Sequence, residues 1–278
     1  MAEKAKARTS VFGILALAVL LVTGTAQAVD YTSAQAGNWS DTLTWNPRVS
    51  ILIPARNEAA VIGATVSALL RQTYPDFEIV LLDDHSQDGT ADFVETGFPD
   101  ARLLRLARSG LSAARNAGAA AAEGSILAFT DDDCEEDRDW LRHLRIGFQE
   151  TGAAAIGGPN IPPLPKDARS AAIRAASGGP SHVMIDDTRA EHLPGCNLAV
   201  ERDAFARIAG FDPDFHTAGD DVDFCWRLQD GGLVLGFAPS AFVWHHRRPS
   251  VRAFFRQQLV YGTAERMLLK KHQIGRAH

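Results

Sequence analysis

Three consecutive aspartates, Asp131 to Asp133, are the strongest chemical signal in this chain of 278 residues. They directly follow the apolar stretch from Ile126 to Phe129, which predicts a strand that holds them at a rigid edge. Mg²⁺ and Mn²⁺ prefer oxygen ligands and usually take one or two protein carboxylates. We therefore expect Asp131 and Asp133 to hold a divalent cation that bridges two phosphates and stabilises a leaving group. The alternative is a solvated acidic turn before a helix that includes Trp140.

Two further acidic clusters have spacings that favour chemistry. Asp83 and Asp84 follow an apolar stretch that ends at Leu82, where a carboxylate can accept hydrogen bonds from a base or a ribose. Asp220 and Asp221 belong to a third acidic run. A base can take the proton of an attacking hydroxyl, and crowding by other acids and by a nearby diphosphate can raise the pKa of a carboxylate. Asp221 is therefore the expected base. The alternative is that the run caps the following helix through Asp220, and both roles can hold together.

The elements that must position these carboxylates alternate along the first half of the chain. Short apolar stretches predict strands at 49–54, 77–82, 102–106 and 125–130. Helical spacing of apolar residues predicts helices at about 62–70, 90–95 and 112–122. This alternation implies right-handed crossovers and a doubly wound, mostly parallel α/β sheet flanked by helices. Ligands bind beyond the carboxyl ends of such strands, which is where the first two acidic clusters lie.

The second half of the chain is less regular. We expect strands at 197–200 and 241–244, with helices at 203–208 and 220–229. A basic, amphipathic helix is expected over 251–271, and it could lie on an anionic membrane surface.

Composition excludes some classes of partner. The formal net charge is −6, and no basic block is long enough to hold a nucleic-acid backbone, so nucleic acid is not an expected partner. Cys134, Cys196 and Cys225 lie far apart and lack C-x-x-C spacing, so they indicate neither a zinc site nor a disulfide framework. We expect three small buried thiols in a reducing compartment.

Six motifs, taken in order from residue 51 to residue 223, resemble a family 2 glycosyltransferase. They are Ile51-Leu52-Ile53-Pro54-Ala55-Arg56-Asn57-Glu58, Asp83-Asp84-His85-Ser86-Gln87-Asp88-Gly89-Thr90, Ala114-Arg115-Asn116-Ala117-Gly118, Asp131-Asp132-Asp133, Gly195-Cys196-Asn197 and Gly219-Asp220-Asp221-Val222-Asp223. Each motif alone is weak, but the ordered set is specific. The resemblance implies a GT-A fold with a less regular acceptor-side half and a nucleotide sugar as donor.

The resemblance also implies roles for single residues. The nucleotide-sugar contacts would be Pro54, Ala55, Glu58, Asp83, Asp84, Arg115, Asp131 and Asp132. Mg²⁺ or Mn²⁺ would be held by Asp131 and Asp133, with Asp133 as the direct ligand. Asp221 would be the base of an inverting single displacement, and the acceptor side would be shaped by Gly195, Cys196, Asn197 and Asp220.

Two stretches depart from the family pattern. Many processive members carry a Q-x-x-R-W motif. The stretch from Gln257 to Tyr261 matches it only in part, with Val260 and Tyr261 in place of Arg and Trp, so we expect an enzyme that adds a single sugar. The run from Trp244 to Arg248 could bring His246 to the diphosphate or the metal, or it could be a basic surface segment.

These patterns predict an enzyme that moves a sugar from a UDP- or GDP-type donor to a hydroxyl of a glycan or a lipid-linked acceptor. Its expected location is the cytoplasmic face of a membrane. One alternative is a nucleotidyltransferase, which would need a glycine-rich basic loop after the first strand. The other is a secreted binding module, which only the first 47 residues suggest.

The start of the chain conflicts with this function. Residues 1–28 have the basic start, apolar middle and A-x-A end of a secretory signal peptide, with an uncleaved membrane anchor as the alternative. Residues 29–47 form a polar segment, and the transferase domain is expected over 48–272, with a truncation at its end. Because nucleotide sugars are made inside cells, our hypothesis is that residues 1–47 come from an unrelated protein and pack against nothing in the domain.

Overall fold

The computed structural model describes residues 45–175, 181–246 and 250–273. The signal-like segment 1–28 and most of the polar segment 29–47 lie outside these ranges. Within them, no helix combines the length and the hydropathy that a membrane crossing requires.

Strands and helices alternate through the first half, as expected. The strands are β1 (Val49–Ala55), β2 (Phe77–Asp83), β3 (Ala101–Arg105), β4 (Ile126–Phe129), β5 (Cys134–Glu136), β6 (Ala155–Gly157), β7 (Asn160–Ile161), β8 (Val183–Met184), β9 (Ala190–His192), β10 (Leu198–Glu201), β11 (Leu235–Phe237) and β12 (Val243–His245). The helices are α1 (Ile62–Leu69), α2 (Thr90–Gly97), α3 (Leu111–Ala121), α4 (Trp140–Thr151), α5 (Ala168–Ala175), α6 (Arg202–Arg207), α7 (Asp220–Asp230) and α8 (Val251–Lys271).

In the described part of the chain, one sheet has seven strands in the order β11-β6-β10-β4-β1-β2-β3. The strand pairs β1–β2, β1–β4 and β2–β3 are parallel, which confirms the mostly parallel α/β sheet. β10 runs antiparallel to both of its neighbours, and its first residue, Leu198, pairs with Phe129 at the end of β4. The carboxyl ends of β1, β2 and β4 therefore meet the amino end of β10 at one edge.

The sheet is buried on both faces because its strands alternate apolar side chains between two cores. Ile51 and Ile53 of β1 pack in one core, and Leu52 packs in the other. α3 approaches the second face closely, since a Cβ atom on Gly118 would lie 2.6 Å from Cδ1 of Leu82. Full burial of a leucine or isoleucine contributes about 1.5–3 kcal/mol. The small residues of α3 thus fix that helix tightly behind the strand ends.

The domain begins before Arg48. The Trp45 ring meets the Phe148 ring edge-on at 6.1 Å, and Nη1 of Arg145 donates to the Trp45 carbonyl at 3.1 Å and to Oδ1 of Asn46 at 2.9 Å. The Tyr74 hydroxyl donates to the Pro47 carbonyl at 2.6 Å. The expectation that residues up to 47 pack against nothing is therefore wrong for residues 45–47. Their polar sequence concealed a tryptophan that packs against the core.

Several short strands have no counterpart in the sequence analysis, although β12 lies where a strand over 241–244 was expected. A second sheet has the order β5-β12-β7, in which β12 is antiparallel to β5 and pairs His245 with Cys134. β8 and β9 form a hairpin. Strands of two or three residues are too short for a period of alternation to appear. The second sheet matters because β5 fixes the chain directly after the aspartate triplet, while β4 of the seven-stranded sheet fixes it directly before.

Candidate active site

A cleft of about 1450 Å³ opens at the edge where the parallel strands end. Its wall includes most of the residues expected from the sequence: Pro54, Ala55, Glu58, Asp84, Arg115, Asp131, Asp132, Asp133, Gly195, Cys196, Asp220 and Asp221. Three expected residues, Asp83, Asn197 and His246, lie outside this lining. Residues of α8, among them Arg256 and Tyr261, close the cleft from another side.

The loops after β1 and β2 are tied to each other at one end of the cleft. The amide of Glu58 donates to Oγ1 of Thr90 at 2.9 Å. Asn57 adopts a positive φ of 59°, so that its amide donates to Oγ of Ser86 while its Oδ1 accepts from the Gln87 amide at 2.8 Å. Pro54, Ala55 and Glu58 therefore lie on a braced turn, as a preformed pocket requires.

Asp84 braces a third loop. Its Oδ1 accepts from the Ser109 amide at 2.6 Å, and its Oδ2 accepts from the Gly110 amide at 3.1 Å. Asp83 is buried, and its Oδ2 accepts from the Ser86 amide at 3.4 Å. Asp84 thus faces the cleft and orders the start of α3, whereas Asp83 shapes the loop from behind.

Arg115 joins two of the acidic clusters. Its buried guanidinium donates through Nη2 to Oδ1 of Asp131 at 2.9 Å and through Nη1 to Oδ2 of Asp220. Burial alone would lower the pKa of Arg115, but the carboxylates of Asp220 and Asp131 raise it. Gly195 lies against the same group, since a Cβ atom there would be 2.7 Å from Nη1. The glycine thus allows the loop before β10 to approach the cation.

Asp131, Asp133 and His245 could form the donor set for a divalent cation. One ligand atom from each lies within 4.8 Å of the others, and Nε2 of His245 is 3.4 Å from Oδ1 of Asp133. Two carboxylates and an imidazole suit Mn²⁺, which accepts oxygen and nitrogen ligands. Nδ1 of His245 is buried and, within the described ranges, has no hydrogen-bond partner. These residues therefore fit a metal ion.

The structure brings His245, and not His246, to the aspartates. Nε2 of His246 lies 2.7 Å from Oε1 of Glu135, and about half of the His246 side chain is exposed. Successive residues of a strand point to opposite faces, so only one of this pair can face the cleft from β12. The sequence analysis pointed to this pair of histidines but could not predict which of the two faces the cleft.

Asp221 accepts hydrogen bonds on both carboxylate oxygens. Its Oδ2 accepts from the Gly195 amide at 3.0 Å and lies 3.5 Å from Nε2 of His192, while Oδ1 accepts from the Val222 amide at 2.8 Å. Burial would raise the pKa of Asp221, but His192 and the Gly195 amide hold it below its usual range. The pKa of Asp221 is therefore lowered, and not raised by its acidic neighbours, so its carboxylate is ionised at neutral pH.

The raised pKa belongs to Asp220. Burial raises the pKa of this carboxyl against the opposing effect of Arg115. Asp220 was expected to cap α7, but the N-cap residue is Gly219, with a φ of 82°, and no side chain caps this helix end. Asp220 turns instead toward the buried Arg115.

His192 is a residue of this cleft that the sequence analysis did not single out. It is buried at the end of β9 and faces Asp221. A lone histidine in a two-stranded hairpin carries no motif, and only the fold places it across from α7.

Asp223 and Asn197 make contacts that hold the fold together. Asp223 is fully buried and pairs with Arg227 at 2.8 Å, with Lys271 at 2.7 Å and with His272 at 2.9 Å, which fixes the end of α8 to α7. Asn197 was expected on the acceptor side. Its amide is instead occupied inside the core, where Oδ1 accepts from Nε1 of Trp140 and Nδ2 donates to two backbone carbonyls.

The chain is similar to known proteins over most of its length. The sequence profile of Glycosyl transferase family 2 matches residues 50–208. Glycosyltransferase AglE of Haloferax volcanii is 32% identical over 209 residues, which cover 73% of this chain and 68% of the relative. The pre-mycofactocin glycosyltransferase of Mycobacterium tuberculosis is 28% identical over 232 residues, and the match spans 81% of this chain but only about half, 48%, of that protein.

Solved structures show the same fold. The mannosyltransferase PcManGT from Pyrobaculum calidifontis, solved in complex with GDP-Man and Mn²⁺, superposes with a TM-score of 0.64 at 23% identity. The match covers 84% of this chain and 67% of that one. GalNAc-T7, solved with UDP, GalNAc and Mn²⁺, has a TM-score of 0.58 at 20% identity, over 74% of this chain and 45% of its own. With the ordered motifs at one sheet edge and the profile match, this chain belongs to glycosyltransferase family 2 and is a glycosyltransferase.

Proposed function

We propose that this enzyme transfers a sugar from a UDP- or GDP-type nucleotide sugar to an acceptor hydroxyl, with inversion at the anomeric carbon. The observation that carries the proposal is the placement of the Asp131–Asp133–His245 set and Asp221 on one cleft. The Pyrobaculum neighbour was solved with GDP-Man and Mn²⁺, and GalNAc-T7 with UDP, GalNAc and Mn²⁺, so both nucleotide classes are supported by the fold.

On the donor side, Asp131, Asp133 and His245 would hold Mg²⁺ or Mn²⁺, which when bound neutralises charge that develops on the departing nucleoside diphosphate. Arg115 keeps Asp131 in place through the 2.9 Å hydrogen bond. Pro54, Ala55, Glu58 and Asp84 line the end of the cleft where the braced loops would bind the nucleoside.

On the acceptor side, Asp221 accepts the proton of the attacking hydroxyl. Its carboxylate is about one fifth exposed and is ionised at neutral pH, so it can accept a proton without first losing one. His192 and the Gly195 amide orient it. Attack from the face opposite the leaving group in a single step gives inversion.

The acceptor we propose is a glycan or a lipid-linked glycan, and the proposed location is the cytoplasmic face of a membrane. One surface of α8 supports this. Phe255 and Leu259 lie one helical turn apart and are 63% and 76% exposed, and Arg252 and Arg256 lie on the same helix. Apolar side chains interspersed with arginines are typical of helices that lie on anionic lipid.

A donor screen tests the proposal. The protein is incubated with a panel of UDP, GDP and other nucleotide sugars with Mn²⁺, and release of the nucleoside diphosphate is measured. We expect turnover with one UDP- or GDP-linked sugar, and magnetic resonance of the product should show an inverted anomeric centre. Retention would overturn the mechanism, and pyrophosphate release from a nucleoside triphosphate plus a sugar phosphate would indicate a nucleotidyltransferase.

A further inference from the structure

Two thiols lie directly behind the aspartate triplet. One ligand atom each from Cys134, Cys196 and His245 lies within 4.8 Å of the other two. The pairing of β12 with β5 places His245 opposite Cys134, and Cys196 enters from the loop before β10. The cysteines are 62 positions apart in the sequence, so their spacing did not predict a shared site.

The surroundings of these thiols suit a bound cation. Both sulfurs are free and buried, and Nδ2 of Asn160 donates to Sγ of Cys196 at 3.1 Å, a hydrogen bond that also supports a thiolate. Nδ1 of His245 is buried without a partner among the residues described, and the whole residue is only 8% exposed. Cys196 and His245 both reach the cleft wall, which gives an ion a route inward.

We propose that Cys134, Cys196 and His245 form a second metal site, selective for a thiophilic divalent cation such as Zn²⁺ or Cd²⁺. Thiolate and imidazole ligands select such ions, whereas carboxylates suit Mg²⁺ and Mn²⁺. Zinc–sulfur bonds of about 2.3 Å in a tetrahedron separate sulfur ligands by about 3.8 Å, which the present cluster reaches with small side-chain shifts. The two thiol protons pass to solvent as two metal–sulfur bonds form, and no electron is transferred.

The position of His245 gives this site a consequence. The same imidazole belongs to the carboxylate set with Asp131 and Asp133, so a thiophilic ion withdraws a ligand from that set. Binding of Zn²⁺ or Cd²⁺ therefore weakens binding of Mn²⁺. This second statement rests on the proposed function, whereas the thiolate site itself does not.

The test is a Cd²⁺ titration of the full chain under a phosphine reductant, followed by the ultraviolet charge-transfer band of cadmium thiolates. We expect one ion per chain and a band that is lost in Cys196→Ser and in Cys134→Ser. Cys225→Ser is the matched control, because Cys225 is equally buried but contacts the Leu193 backbone instead. This variant should keep the full band.

Several outcomes would overturn the site. They are the absence of a band in the parent, an equal band in Cys196→Ser, or loss of the band in Cys225→Ser alone. Circular dichroism of each variant, recorded without metal, separates loss of a ligand from loss of the fold. His245→Gln should weaken Cd²⁺ binding by at least about tenfold. Donor turnover is measured separately, so a thiolate band without turnover would contradict only the proposed function.

Discussion

Arg115 and Asp220 form an ion pair that is almost closed to solvent, with side-chain exposures of 2% and 3%. The same guanidinium reaches Asp131 at the cleft wall. One buried cation thus holds the start of α7 and the end of β4 in a fixed relation. Two of the carboxylates with proposed chemical roles, Asp131 and Asp221, each lie beside a member of this pair.

Asp220→Asn should destabilise the protein strongly. The variant leaves Arg115 buried with a weaker partner, and breaking a buried pair from one side costs about 3–5 kcal/mol. Urea unfolding of the variant and the parent measures the change. Asp214→Asn is the control, because Asp214 is an exposed aspartate in the loop before α7. Equal unfolding midpoints for the two variants would show that the pair contributes nothing.

Asp221→Asn should remove transfer and keep donor binding. Asparagine preserves the shape of the side chain but cannot accept a proton, and loss of a general base typically costs at least about a hundredfold in rate. The turnover number and the calorimetric Kd for donor with Mn²⁺ separate the two effects. A variant as active as the parent would move the base elsewhere. Asp223 is then a poor second choice, because its carboxylate is already paired with Arg227, Lys271 and His272.

Asp133→Ala should abolish metal-dependent donor binding, and His245→Gln should weaken Mn²⁺ binding by at least about tenfold. His246→Gln and Glu135→Ala are matched controls, since these two side chains pair with each other on the outer face. Calorimetry with Mn²⁺ and a nucleotide sugar measures all four variants. The assignment fails if His246→Gln weakens Mn²⁺ binding and His245→Gln does not.

Glu136→Gln should stabilise the protein at alkaline pH. Burial raises the pKa of Glu136 to about 8 against the hydrogen bond from Thr130. The folded state therefore keeps a proton that the unfolded state loses, so the stabilising contribution is complete below the unfolded pKa of 4.5 and is gone above about 8. Each unit of pKa difference corresponds to about 1.4 kcal/mol.

Glutamine stays neutral at every pH, so the Glu136→Gln variant does not lose stability as the pH rises through this titration. Denaturant unfolding at about pH 5 and about pH 9 should show the variant gaining on the parent as the pH rises. A difference between variant and parent that stays constant with pH would mean that Glu136 titrates normally.

A chain that begins at Arg48 should unfold more easily than one that begins at Trp45. Removal of residues 45–47 takes away the Trp45–Phe148 contact and the partners of Arg145, a loss of about 1–3 kcal/mol. Thermal unfolding of the two chains makes the comparison, and Trp45→Ala in the longer chain isolates the ring. Identical midpoints would restore the boundary at Arg48.

The first half of the fold was predictable because its strands are long enough to appear in the sequence as the apolar runs that are typical of buried strands. β1 and β2 have seven residues each, and the aspartates that follow strands lie at the sheet edge as expected. Strands such as β7 and β9 are too short for any period, so His192 could not be found. The choice between His245 and His246 needed the pairing of β12 with β5. Which of Asp220 and Asp221 has the higher pKa could not be predicted either. It depends on contacts with Arg115 and His192, which come from distant parts of the chain.

The reversed direction of β10 has an evolutionary consequence. In a wholly parallel sheet, only residues that follow strands reach the ligand edge. β10 enters the sheet at that edge, so Gly195 and Cys196, which precede it, arrive beside Asp131, which follows β4. The proposed donor and acceptor contacts thus come from loops that are separate in the chain. If the proposed roles hold, insertions before β10 would change the range of acceptors while the donor edge keeps its register.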